Sequence, residues 1–239
     1  MSDIITEVKL PSSGLLYSEK INPNNQLRAP RLRDKGLADT TRKLKLQANI
    51  LDKTLVQPLG MSAYDLHTAD FVYLNMRQRQ LSKGAKPYKI MVRCSRASCG
   101  KVHTLDIRLD EIEVKYLKKI PEFEFNTSEG NLIKYNFITP RIMEESRTNA
   151  LEFKEQYPDT DCGLEALETQ EFLRLLIDKV DGKALTYAQK TDFISNMLLE
   201  DVDAFLETVS SFDFGLQFRR SFTCSCGKKI VYDLPTGEA

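Results

Sequence analysis

The chain lacks most of the marks by which an enzyme shows itself. It has only two histidines, His67 and His103, and neither falls in a defensible Ser/His/Asp spacing. There is no GxGxxG loop and no Walker A loop to cradle phosphates. Acids are plentiful, but they lie on helix-like segments in the pattern of solvated faces. The run Asp110–Glu113 is a strand exit rather than a catalytic pair. No apolar run approaches the ~20 residues that span a bilayer. The opening "MSDIITEVKLPSS" carries acids and only a short apolar stretch, unlike a secretory signal, so a cytosolic protein is expected. Net charge is absent too: 34 Lys and Arg balance 34 Asp and Glu among 239 residues.

That balance is uneven along the chain. From Lys20 to Lys101 there are 17 Lys/Arg against 5 Asp/Glu, a surplus of 12 positive charges. From Ile142 to Asp213 there are 6 against 17, a deficit of 11. Two solvated faces that attract each other within one molecule would give this pattern. A basic surface kept for an acidic partner, protein or nucleic acid, would give it equally.

What the chain does have is cysteine in a repeated setting. Five cysteines in a cytosolic chain point to thiols or metal ligands rather than disulfides. Cys94 and Cys99 lie in "VRCSRASCGKVHTLDIRL", and Cys224 and Cys226 lie in "SFTCSCGKKIVYDLP". Both stretches run strand, Cys, spacer, Cys-Gly-Lys, strand. Each predicts a hairpin with two thiols at its tip, a zinc knuckle. Two knuckles facing each other make a tetrahedral Cys₄ site, the form structural zinc favours, with no coordination position left for catalysis. The spacings, C-x₄-C and C-x-C, are looser than paired C-x₂-C, and four reduced cysteines near one core are the plain alternative. His103 lies inside a strand run, which suits a satisfied histidine better than a substitute for Cys99. Cys162, in "DTDCGLE", has no partner spacing and reads as a lone thiol.

Periodicity divides the chain into four parts and predicts an α+β fold: N-terminal helices, a small zinc-stapled antiparallel β module and an all-helical insertion. Residues 1–36, rich in Pro and Gly, are expected to form an extended arm. Its apolar groups, among them Val8, Leu10 and Leu16, suit either a partner or an edge strand on the chain's own core. Residues 37–141 carry two helices, the first knuckle and further strands. Asp39 is a candidate N-cap, Leu44, Ala48, Leu51 and Leu55 form a stripe, and Gly84 is a natural terminator for the second helix. Residues 142–212 form the insertion. Its stripes are Ile142, Ser146, Ala150, Phe153 and Tyr157, then Leu164, Phe172, Leu176 and Val180, then Val202, Phe205, Leu206 and Val209. Thr186 and Gln189 have capping-box spacing. Residues 213–239 close the β module with the second knuckle.

The segments "VKLPSSGLLY", "LHTADFVYLNMRQRQLSKGAKPYKIMVRC" and "FDFGLQFRRSFTCSCGKKIVYDLPTGEA", with the acidic helical block, resemble the baseplate hub assembly proteins of T4-like contractile-tailed bacteriophages. The most specific parts are the helix carrying Asp70, Tyr73, Leu74 and Arg77, and the C-terminal cysteine hairpin. The resemblance implies a protein that helps build the central hub of the tail baseplate, either as an assembly chaperone absent from the finished particle or as a hub component. It implies hub or tail assembly proteins as partners, the host cytoplasm as the place of assembly, and no membrane or small-molecule substrate. The competing reading is a nucleic-acid-binding zinc-ribbon protein. It rests on Arg77, Arg79, Lys83, Lys86, Lys89, Arg93, Arg96 and Lys101, eight bases with no acid between Met76 and Lys101. Against it stand the neutral chain and a knuckle tip without interleaved aromatics. A third reading is an enzyme with an unrecognised site.

Overall fold

The computed structural model describes residues 4–17, 21–35, 42–83 and 87–234. The N-terminal part opens with β1 (Ile5–Lys9) and β2 (Asn24–Arg28), an antiparallel hairpin that pairs Ile5 with Arg28 and Lys9 with Asn24. A short helix, α1 (Leu32–Lys35), leads to α2 (Lys43–Thr54) and then α3 (Thr68–Lys83). Strand alternation turns Val8 and Leu27 inward, where they meet Ala48 and Leu51 of α2 and Phe71 and Leu74 of α3. Leu27 also bridges to Leu55, just past the end of α2. The expected extended arm is thus corrected: its described residues are a hairpin built into the core. The two runs bury Val8, Asn25 and Leu27 by pairing with each other and covering two helices. Residues 1–3, 18–20 and Gly36 lie outside the described residues.

Helix α2 shows how distant parts of the chain are joined. Arg42 precedes it and gives no side-chain cap. The Asp39 expected as N-cap lies outside the described residues, as do Gly84 and Lys86. The first N–H groups of α2, from Leu44 and Lys45, instead donate to the Glu144 carboxylate at 2.9 and 3.0 Å. A carboxylate there meets both the orphan donors and the positive end of the helix dipole. Tyr64 donates its hydroxyl to the same group at 2.9 Å, and Arg141 grips Asp65 with two nitrogens.

After α3 come β3 (Tyr88–Arg93) and β4 (Val102–Ile107), paired from Tyr88–Ile107 to Arg93–Val102. The short β5 (Val114–Lys115) follows, then β6 (Glu124–Asn126) and β7 (Leu132–Tyr135). The next block holds α4 (Pro140–Gln156), α5 (Leu164–Leu176), β8 (Ile177–Val180), β9 (Lys183–Ala184), α6 (Tyr187–Asn196) and α7 (Leu199–Ser210). The insertion is therefore not all-helical: β8 and β9 complete a four-stranded sheet ordered β6-β7-β8-β9. Strand formation lets Ile177 and Val180 cover the same core that Leu173 and Leu176 reach from α5, with Ile133 and Phe205 opposite. The capping box of Thr186 and Gln189 forms as its spacing requires. The α4 stripe is core only as far as Ala150. Phe153 is 40% and Tyr157 50% exposed, and the two rings pack on each other with centroids 4.9 Å apart.

The chain ends with β10 (Gly215–Leu216), paired to β5, and the hairpin of β11 (Arg219–Thr223) and β12 (Lys229–Asp233). The β3–β4 and β11–β12 hairpins stack face to face. Met76, Ile112 and Leu234 fill one end of the space between them, and Cys94, Cys224 and Ile230 the other.

Leu10→Ala and Leu27→Ala are each expected to lower unfolding stability by about 2–5 kcal/mol in urea titrations, as buried truncations do. Unchanged stability in both variants would restore the segment to a free docking arm.

Candidate metal centre

Each knuckle is built by the same local devices. In the first hairpin the Cys94 N–H donates to Lys101 O at 2.8 Å, and in the second the Cys224 N–H donates to Lys228 O at 2.9 Å. Those bonds close the two loops just beyond the strands. Gly100 and Gly227 have φ of +55° and +81°, the left-handed region that favours glycine, and this explains the Gly after the second cysteine of each pair. In both knuckles the amide two residues on, Arg96 or Cys226, donates to the sulfur of the first cysteine. Cys94 and Cys224 are buried, while Cys99 and Cys226 are half-buried.

The four sulfurs lie within 4.8 Å of one another. Cys94 Sγ is 3.7 Å from Cys226 Sγ, and Cys99 Sγ is 3.8 Å from Cys224 Sγ, so the close pairs run between the knuckles. Four sulfurs held about 2.3 Å from one tetrahedral ion stand about 3.8 Å apart. A disulfide would need about 2.0 Å. The thiols therefore sit at the spacing of a shared ion rather than of covalent bridges, and their donor set suits zinc. The Arg96 guanidinium ties the two tips together through a 2.7 Å hydrogen bond to Cys226 O.

The surroundings divide the thiols by charge. Cys226 is pushed down to about 6, first by the Lys228 backbone N–H on its sulfur and then by the other thiols. Cys224 is lowered, first by the Cys226 N–H, with the His103 ring adding to it. On Cys94 the Arg96 N–H lowers the pKa, but burial and the other three thiols outweigh it and carry the group up to about 11. Backbone donors that favour thiolate are what a cation would find ready here.

His103 was expected to be a bystander. Its Nε2 lies 3.1 Å from Cys224 Sγ, and its ring packs edge-on against Phe222. A ring nitrogen held against the sulfur orients it and, when protonated there, offsets the charge of its thiolate. Strand period placed it: His103, Leu105 and Ile107 share the inward side of β4. Cys162 lies in the α4–α5 loop, outside the cluster, with its carbonyl 3.4 Å from Lys154 Nζ.

One other cluster holds the residue types of a hydrolytic triad. Ser12, His67 and Asp70 are fully buried together. Their bonds are structural. Asp70 accepts from the Ser12 backbone N–H at 2.8 Å and from the Tyr17 hydroxyl at 2.6 Å. The Tyr17 oxygen accepts from His67 N–H, and His67 Nδ1 caps α3 by accepting from Ala69 N–H, each at 3.0 Å. His67 Nε2 has no hydrogen-bond partner; the rings of Phe137, Phe212 and Phe214 surround it. No proton relay links serine, histidine and carboxylate in this geometry. Burial holds His67 down to about 3 and pushes Asp70 up against the Ser12 and Tyr17 hydrogen bonds. Among the described residues no helix is long and apolar enough to cross a membrane.

A two-knuckle thiol ribbon fused to a helical lobe defines the architecture. The family model described as T4 bacteriophage base plate protein matches residues 1–236, so the chain belongs to that family of phage baseplate proteins. No curated protein and no solved structure matches it. Two of the segments that carry the resemblance, "VKLPSSGLLY" and "LHTADFVYL", meet at the buried Asp70. His67 makes that junction acid-sensitive with a definite sign. A histidine held neutral in the folded state leaves the unfolded chain to bind the proton first. Its stabilising contribution is full above about 6.5 and is lost as pH falls toward about 3. His67→Asn keeps a capping acceptor and removes the titration. In urea unfolding the wild type is expected to lose stability relative to this variant by up to ~1.4 kcal/mol per pH unit across that window. A difference that stays flat with pH contradicts the assignment.

Proposed function

We propose that the protein is a non-catalytic assembly factor of the phage baseplate hub, acting by binding other baseplate proteins. In this reading Cys94, Cys99, Cys224 and Cys226 hold one structural Zn²⁺. The observation that carries it is the sulfur cluster itself: four convergent thiols within 4.8 Å, two pairs of them at the spacing of a shared tetrahedral ion, supported by backbone N–H groups and His103. Bound zinc would lock the last strands of the chain to its middle and leave the surfaces of the helical lobe and the N-terminal part for docking. The helical lobe as an insertion between the two knuckles belongs to the same proposal, with β6 and β7 counted in the lobe because they share its sheet. A chaperone-like factor that leaves before completion would occur with hub proteins in infected cells and be missing from finished particles. A retained component would occur in both.

A nucleic-acid-binding ribbon is the second reading. It is favoured by Arg93, Arg96, Lys101, Lys228 and Lys229, all exposed around the knuckle tips. The aromatic groups of the ribbon oppose it, because Phe222 and Tyr232 face each other between the hairpins rather than outward as stacking platforms.

The purified chain is expected to carry about one equivalent of zinc, and Cys224→Ser to carry none. Chelation of the wild type should lower its melting temperature to that of the variant, since the metal's binding free energy is folding free energy. Full metal content in Cys224→Ser, or a metal-free wild type that melts unchanged on adding zinc, would overturn the site.

A further inference from the structure

Two exposed faces of this molecule carry opposite charge surpluses, each beside an exposed apolar pair. The first is the outer side of the β3–β4 hairpin. Strand alternation sends Ile90, Val92 and Leu105 toward the second hairpin and leaves Lys89, Met91, Arg93 and Val102 outside. The register sets Arg93 beside Val102 and Met91 beside Thr104, so the apolar pair lies diagonally across the two strands. Met91 is 80% and Val102 53% exposed. Lys101 adjoins them, and the one acid on this side, Asp106, stands opposite Lys89.

The second face is the outer side of α7. Glu200, Asp203 and Glu207 recur at helical spacing and are all exposed. At the start of the same helix Leu198 is 50% and Leu199 75% exposed. Among the described residues no ion pair engages the three cations or the three anions. Isolated exposed apolar residues are ordinary. Adjacent ones beside a surplus of one charge sign mark a docking surface.

We infer that the β3–β4 outer face binds the α7 outer face of a second copy of this chain. Met91 and Val102 meet Leu198 and Leu199, while Lys89, Arg93 and Lys101 meet Glu200, Asp203 and Glu207. A second copy is the fitting occupant because the chain carries both halves of the match and is neutral as a whole. The faces differ, so the contact is head-to-tail: it closes into a ring or runs on as a filament. About five residues a side is far below the ~20–30 of a standard interface, so the contact is weak and salt-sensitive.

Sedimentation velocity on the full chain tests this. In about 0.05 M salt the mass should climb above 27.3 kDa as concentration rises, and in about 0.5 M salt it should return to that value. Met91→Asp and Leu199→Asp each place a charge on one exposed face and should each be monomeric. Mixed together they retain one working interface between them and should stop at a dimer, which also shows that both remain folded. A wild type that stays monomeric at every concentration overturns the proposal. So does either variant associating like the wild type, or a mixture that grows past the dimer. If the monomeric wild type instead binds duplex DNA with steep salt dependence, the basic face belongs to nucleic acid and the proposal falls.

Discussion

Four sulfur atoms brought to within a few ångströms from positions more than a hundred residues apart impose the constraint on which the rest of the ribbon depends. Each hairpin alone is two strands, a unit of marginal stability in water. Stacked together they enclose only a thin apolar layer, with Val92, Phe222 and Ile230 near the tip. Such a layer does little to hold the tips in register, and a tetrathiolate centre there would supply what the core lacks. Everything between Cys99 and Cys224 then becomes a loop closed at the thiols. The entropic cost of a loop grows only slowly with its length, so a whole helical lobe fits inside it.

The lobe is also held from the other side. Glu144 on α4 caps α2, and Arg141 grips Asp65. Asp70 ties the N-terminal segment to the start of α3 through Ser12 and Tyr17. These contacts join parts of the chain 53 to 100 residues apart through single carboxylates.

Much of this was legible in the residues, and the parts that were not share a cause. The convergence of the two thiol hairpins could be read because each repeats one local pattern: strand, thiol, thiol, Gly in a left-handed turn. The β8–β9 hairpin was missed because Ile177 and Val180 continue the apolar spacing of α5 without a break. Its one local signal was Asp181-Gly182, a turn pair in which Asp181 has φ of +49° and its side chain accepts from Leu132 N–H. The N-terminal segment looked like an arm because its turn residues are local while its partners are not. Nothing near Ser12 announces a carboxylate 58 residues away. The sulfur beside His103 is likewise distant in sequence, although the ring's inward position on β4 follows from strand alternation alone.

What the four sulfurs hold decides whether the ribbon is a metal centre. X-ray absorption at the zinc edge of the purified chain reads the ligands directly. Four sulfur scatterers at about 2.3 Å and no nitrogen or oxygen in the first shell are expected. A first shell with fewer sulfurs, or with a nitrogen at about 2.0 Å in place of one, would contradict a closed four-cysteine centre.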